Sequence, residues 1–283
     1  MAATSERGAR ESSLAQVGVV AKYNFLNYFR ARRFYVMIAI VLLISGLLTF
    51  VIAWRRPAEI LTTDLGFLST VWGSFISLIV ILSTAFFGGD AISGEFQNRT
   101  GYFLVPNPIR RSVIYVGKWL AALAASTIII LVYAVIGIAN SLYYFGLSLP
   151  NEFYLSMLFS WIYLVAALSF AFAFSSLFKS SAVAVLMSVI MLLLVFNLID
   201  TVAATLAGIE PWFSITYGAG IIQSIFTVPY PMHVITTPVG PGGGFSLTIF
   251  TAPVWEGLAI LGIYFVGMAG LGLWLFERKE FTT

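Results

Sequence analysis

Six apolar runs of membrane-crossing length constrain this 283-residue chain more than any other feature. They fall at about 34–54, 67–87, 119–145, 153–178, 181–199 and 255–276. A hydrocarbon core ~30 Å thick takes about 20 helical residues, and every run is near that length. Barrel strands would be ~10 residues of alternating polarity, so a membrane barrel is excluded. Composition agrees, since 60% of residues are hydrophobic and only 10% charged, outside the range of soluble domains. The expected fold is an all-α membrane protein: a tail and interfacial helix over 1–33, then a single six-helix domain over 34–283. The lack of cysteine excludes disulfides, thiolate metal sites and thiol nucleophiles.

Six spans bring both termini to one side, and the loop charges then orient the molecule. Thirteen Lys and Arg, from Arg7 to Lys279, lie on the side of the N-terminus, and only Arg55 and Arg56 lie opposite. Basic residues concentrate in cytoplasmic loops, so a multi-pass plasma-membrane protein with both termini cytoplasmic is expected. The first span follows six basic residues without a small-x-small cleavage pattern and reads as retained. A seven-span alternative makes Gly208 to Thr227 a crossing helix, but it expels Arg278 and Lys279.

Between Ser13 and Arg33 polarity alternates with a helical period. Leu14, Val17, Ala21, Phe25 and Tyr28 share one face, and Arg30, Arg32 and Arg33 close the segment. This suits a helix lying on an anionic leaflet of membrane lipids, either as an anchor alone or also touching a partner.

The segment Asp90 to Lys118 concentrates charge, glycine and proline between two spans and holds four of the fifteen Lys and Arg. No span carries an ionisable residue near its centre. Ion-coupled carriers place such residues at mid-membrane, so work delivered from the cytoplasm is the better reading. The chain cannot bind ATP itself. Gly89 to Glu95 has the glycine spacing of a phosphate loop, but Glu95 stands where Lys is required and Phe96 where a magnesium-ligating Ser or Thr is required. The glycine-rich stretch from Gly240 to Gly244 also lacks Lys.

Asp90-Ala-Ile-Ser-Gly-Glu95, Pro106, Pro108, Arg110, Arg111, Gly117 and Lys118 together resemble the cytoplasmic signature of ABC transporter type-2 permeases, the ABC-2-type exporter permeases. The layout is similar too, with a surface helix, six spans, a short basic loop Phe178-Lys179-Ser180 and a long outer loop before the sixth span. The resemblance implies a non-catalytic membrane subunit that works with two cytoplasmic ABC ATPase subunits and a second permease copy or paralogue. It places ATP and Mg on the ATPase, with no cofactor in this chain. It also implies a coupling helix around Ala91 to Asn98, contacting the ATPase through Asp90, Ile92, Ser93, Gly94, Glu95, Phe96 and Lys179. Ile92 and Phe96 would enter a groove of that partner, and Glu95 would pair with a basic residue. The chain departs from the family in having Phe96, Gln97 and Asn98 where a charged run usually follows the Glu.

Thr70, Ser74, Ser77 and Thr84 recur on one helical stripe of the second span. With Asn197 they are candidates for a translocation path, or else bond their own backbone or a neighbouring helix. Ala121 and Ala125, like Ala167, Ala171 and Ser175, allow close helix packing. Between the fifth and sixth spans, Pro211 to Val228 reads as one or two short helices dipping into the outer leaflet, followed by an irregular Pro- and Gly-rich run. His233, the only histidine, has no acidic pair near it in sequence, so it reads as a surface residue and no metal site is expected. The leading function is export of a hydrophobic or amphipathic substrate such as a lipid, drug or peptide, with no role for nucleic acid. The alternatives are a secondary carrier or channel, or an integral membrane enzyme using Asp200, Glu210, His233 and Glu256 on the outer face.

Overall fold

The spans and their connections are set by run length, and the computed structural model describes residues 13–58, 60–97, 110–146, 149–239 and 245–278. Six helices are long and apolar enough to cross a membrane: Arg32–Arg55, Asp64–Gln97, Arg111–Phe145, Asn151–Leu177, Ser181–Ala207 and Val254–Arg278. The third starts at Arg111 rather than Trp119, which puts Lys118 about two turns inside a helix. The fifth has a wide π turn at Ile190–Val195 and continues past Ile199 through a second at Ala203–Ala207. It stops where Gly208 adopts φ +61°, a left-handed backbone open to glycine.

The fourth span is the axis of the bundle. Phe153, Phe159, Tyr163, Phe170 and Phe172 are buried along it, between small residues such as Ala166, Ala167, Ser169 and Ala171. Those small residues let neighbours approach closely. A Cβ on Gly88 of the second span would meet Leu168 Cδ1 at 2.8 Å, and one on Gly272 of the sixth would meet Ala173 Cα at 3.1 Å. The first span buries only a stripe, Phe34, Met37, Val41, Ser45 and Ile52, and turns Leu42, Leu43, Leu47 and Phe50 outward as a lipid-facing surface.

The N-terminal helix Ser13–Arg30 lies along the beginning of the third span. Val20 sits so close to Gly117 that a Cβ there would be 2.6 Å from Val20 Cγ1. Tyr28 is buried and Val17, Ala21 and Phe25 are half-buried, as the helical face predicts, whereas Leu14 is exposed.

One expectation is corrected. The run after Val228 is not wholly irregular: Val234–Val239 and Phe245–Phe250 form an antiparallel hairpin with Val234 opposite Phe250. β-branched residues dominate the first strand, and that preference outweighs the prolines around it. The candidate hydroxyls of the second span sit in different environments. The π turn Ser69–Gly73 shifts the helical phase, so Ser74 is exposed while Thr84 is sealed inside and Ser77 is half-buried. Thr70 Oγ1 donates to Gly66 O at 3.0 Å, Ser74 Oγ lies 3.4 Å from Ser69 O, and Thr84 Oγ1 donates to Ile81 O at 2.9 Å. These hydroxyls serve their own helix. Asn197 does likewise, donating to Leu193 O at 2.9 Å.

Pro211 to Val228 does contain short helices, Ile215–Ala219 and Ile221–Ser224. They begin four residues later than Pro211, and Ile215, Ile221, Ile222 and Phe226 are buried against the bundle.

Candidate functional site

At the end of the bundle that carries most of the basic residues, the second span breaks at Gly88-Gly89 and restarts as a short helix, Ser93–Gln97. Close packing surrounds the break. A Cβ on Gly89 would lie 2.6 Å from Ala85 O and 2.9 Å from Val185 Cα. The helix restarts with exposed backbone donors, which need acceptors. Ser175 of the fourth span supplies one, its Oγ accepting from Ile92 N at 2.9 Å and Ser93 N at 3.0 Å. Ser93 Oγ in turn donates to Gly89 O at 3.1 Å.

The charged members of this segment reach other spans. Asp90 pairs with Arg33 at the start of the first span, and Arg33 stacks over the Tyr28 ring at 4.8 Å. Tyr28 donates to Phe87 O at 2.9 Å, and burial holds its phenol well above the ordinary tyrosine range. Glu95 pairs with Lys118 of the third span, whose ammonium also donates to Ala91 O at 2.9 Å. Phe96 meets Phe276 of the sixth span edge-on at 6.5 Å between ring centres. Gln97 Oε1 accepts from Ser181 N, the first residue of the fifth span, at 2.7 Å. Eight residues, Asp90 to Gln97, therefore contact all five other spans.

The geometry sorts the expected contact residues. Ile92 and Ser93 are fully buried within the bundle, and Phe96 is half-buried, so Ile92 faces this chain rather than open space. Gly94, with nothing within 4 Å of a Cβ position, and the exposed Gln97 and Lys179 form the accessible surface. Beside them a polar pocket of about 170 Å³ is lined by Asn24, Asn27, Tyr28, Arg33, Asp90 and Lys118 among others. Asn98, Pro106 and Pro108 lie outside the described residues. The partners Ser175 and Arg33 carry no local sequence signal for these contacts. Ser175 looked like a packing residue, and only the break at Gly88-Gly89 brings the Ile92 and Ser93 amides to it.

At the opposite end, three of the four titratable groups considered for an outer site do gather. Glu210, His233 and Glu256 place ligating atoms within 4.8 Å of one another, although they are far apart in sequence. His233 Nε2 is 3.2 Å from Glu210 Oε2, and His233 Nδ1 is 3.0 Å from Thr251 O. The Thr251 carbonyl and then the Glu210 carboxylate favour the protonated ring, raising the pKa of His233. Tyr217 donates to Glu210 Oε1 at 2.5 Å, and its phenol is raised, first by burial and then by that carboxylate. Asp200 stands apart, accepting from Thr216 at 2.5 Å.

Residues 18–281 match the family described as ABC-2 family transporter protein. The chain belongs to that family. It is a multi-pass ABC transporter permease subunit, a class that is generally non-catalytic and normally works with cytoplasmic ABC ATPases. No curated protein matches the sequence. In this permease the described structure ties the segment Asp90 to Gln97 to every other span.

Proposed function

We propose that the permease exports a hydrophobic or amphipathic substrate, with its basic end in the cytoplasm, driven through the helix Ser93–Gln97 by two separate ATPase subunits on a permease dimer. The observation that carries this reading is the set of contacts made by Asp90 to Gln97 on five spans. A force applied to one short helix would reach the whole bundle, whereas a simple chain reversal needs no such connections. Coupling of this kind requires an element whose two positions the ATPase biases differently. The charge distribution supports the orientation, since the described basic residues outside the basic end are Arg55 and Arg56. The apolar spans and the lack of a charge at their centres favour an apolar or amphipathic cargo over an ion.

The contact surface can be tested directly because the chain has no cysteine. Gly94→Cys adds a thiol where the structure leaves open space. In membranes containing the ATPase subunit, a short thiol-to-amine cross-linker should join Gly94→Cys to the ATPase, and the yield should change with ATP. A cysteine at Gly46, on the first span, should not react with it. Absence of any cross-link at Gly94 would remove the coupling role.

A further inference from the structure

We propose that Glu210, His233 and Glu256 form a binding site for a divalent transition-metal ion of zinc's type at the end of the bundle opposite the basic face. The three residues come from different parts of the far end. Glu210 follows the left-handed Gly208 that ends the fifth span, His233 precedes the first hairpin strand, and Glu256 lies in the first turn of the sixth span. An ion held by all three pins the hairpin to the ends of two spans.

The orientation of the imidazole is the first argument. Thr251 O is a carbonyl and can only accept, so the 3.0 Å contact assigns the ring hydrogen to Nδ1. The lone pair of a neutral ring is then on Nε2, which faces Glu210 Oε2 at 3.2 Å. The space between these two acceptors takes one cation, either the proton that the same contacts favour or a metal ion in its place. A metal-ligating histidine commonly donates its other N–H to a backbone carbonyl, which is the arrangement here. Glu210 is supported in the same way, with Tyr217 holding Oε1 at 2.5 Å and leaving Oε2 turned to the site.

Charge is the second argument. Even a protonated imidazole leaves two carboxylates to one positive charge. Among the described residues, no Lys or Arg forms an ion pair with Glu210 or Glu256. The ligand set, one imidazole nitrogen and two carboxylates, suits zinc-like ions. Calcium and magnesium prefer all-oxygen sites, and copper(I) prefers sulfur. Three protein ligands leave a fourth position for water. Ligand atoms in a tetrahedral zinc site stand ~3.4 Å apart, so a set within 4.8 Å closes by small rotations of half-exposed side chains.

His233 is the only histidine and there is no cysteine, so nitrogen coordination in an untagged protein has a single source. The test uses tag-free full-length permease in lipid nanodiscs, titrated calorimetrically with zinc, magnesium and calcium. Cobalt provides a visible spectrum that reports coordination. One zinc per chain should bind, with magnesium and calcium at least ~100-fold weaker. His233→Ala and Glu256→Gln should each weaken zinc by more than ~100-fold, and Tyr217→Phe by about 10-fold through loss of the outer support. Zinc should also protect His233 from acylation by diethylpyrocarbonate, a readout that does not depend on the variants folding. The proposal is overturned if zinc does not bind, if His233→Ala binds it as well as the parent, or if saturating zinc leaves His233 equally reactive.

Discussion

Lys118 and Glu95 form an ion pair across the junction between the third span and the short helix Ser93–Gln97, and the same ammonium donates to Ala91 O at 2.9 Å. The lysine is 6% exposed. A charge in that position is tolerated because its donors are met by a carboxylate and a carbonyl. Removing one partner alone leaves the other unmatched. Glu95→Ala should therefore lower stability by roughly 3 kcal/mol, whereas Glu95→Ala combined with Lys118→Met should recover most of that loss. Thermal unfolding of the purified variants reads both. The double variant then separates fold from coupling. If it melts like the parent but no longer stimulates the ATPase, the pair transmits force; equal stimulation would make it structural only.

Ser175 carries a second tie. Its Oγ accepts from two successive amides, Ile92 N and Ser93 N, so Ser175→Ala strands both. An unsatisfied buried donor costs about 1–3 kcal/mol. Amide exchange at Ile92 and Ser93 should accelerate at least tenfold in that variant, while exchange in the middle of the fourth span is unchanged. Unaltered exchange at the two amides would show that they find another acceptor.

The six spans were legible because a run of twenty apolar residues has few alternatives in a membrane, and the Ser-Gly-Glu turn was legible as a family pattern. What escaped depends on neighbours that the local sequence does not name. The π turn at Ser69–Gly73 leaves no compositional mark, yet it rotates Ser74 outward. The strand Val234–Val239 is six residues with a proline inside, too short for a period-two signal to outweigh the surrounding Pro and Gly. Glu210, His233 and Glu256 are each 23 residues apart, and only the hairpin and the start of the sixth span fold them together. Lys118 looked like a loop residue because the polar stretch before it hid the first two turns of a helix.

Gly272 tests how tightly the sixth span is set against its neighbours. A Cβ there would lie 2.4 Å from Tyr115 Oη and 3.1 Å from Ala173 Cα. The tyrosine can swing aside, but the backbone of the fourth span cannot. Gly272→Ala should destabilise the bundle by about 1–3 kcal/mol. Gly267→Ala, on the same helix with nothing within 4 Å, should be neutral or mildly stabilising because alanine is the better helix former. Thermal midpoints of the two variants decide it, and equal midpoints would mean the sixth span is not seated against Ala173.

Ser156 joins three elements with one hydroxyl. It accepts from Trp72 Nε1 at 3.0 Å, in the π turn of the second span, and donates to Ile222 O at 2.7 Å, in the short helix Ile221–Ser224. Trp72 is held in place by stacking on Tyr133 at 5.4 Å and by the edge of Phe153 at 5.2 Å, so the ring stays without the bond. Interhelical hydrogen bonds in membranes average only about 0.6 kcal/mol, so Ser156→Ala should leave the global fold close to parental stability. Its effect should be local to the far end. Amides of Ile221 to Phe226 should exchange faster, because the short helices lose their bond to the fourth span, while the amides of Ile92 and Ser93 at the basic end keep parental rates. Equal acceleration at both ends would mean that the variant loosens the bundle as a whole and that Ser156 is not a specific anchor for the far-end helices.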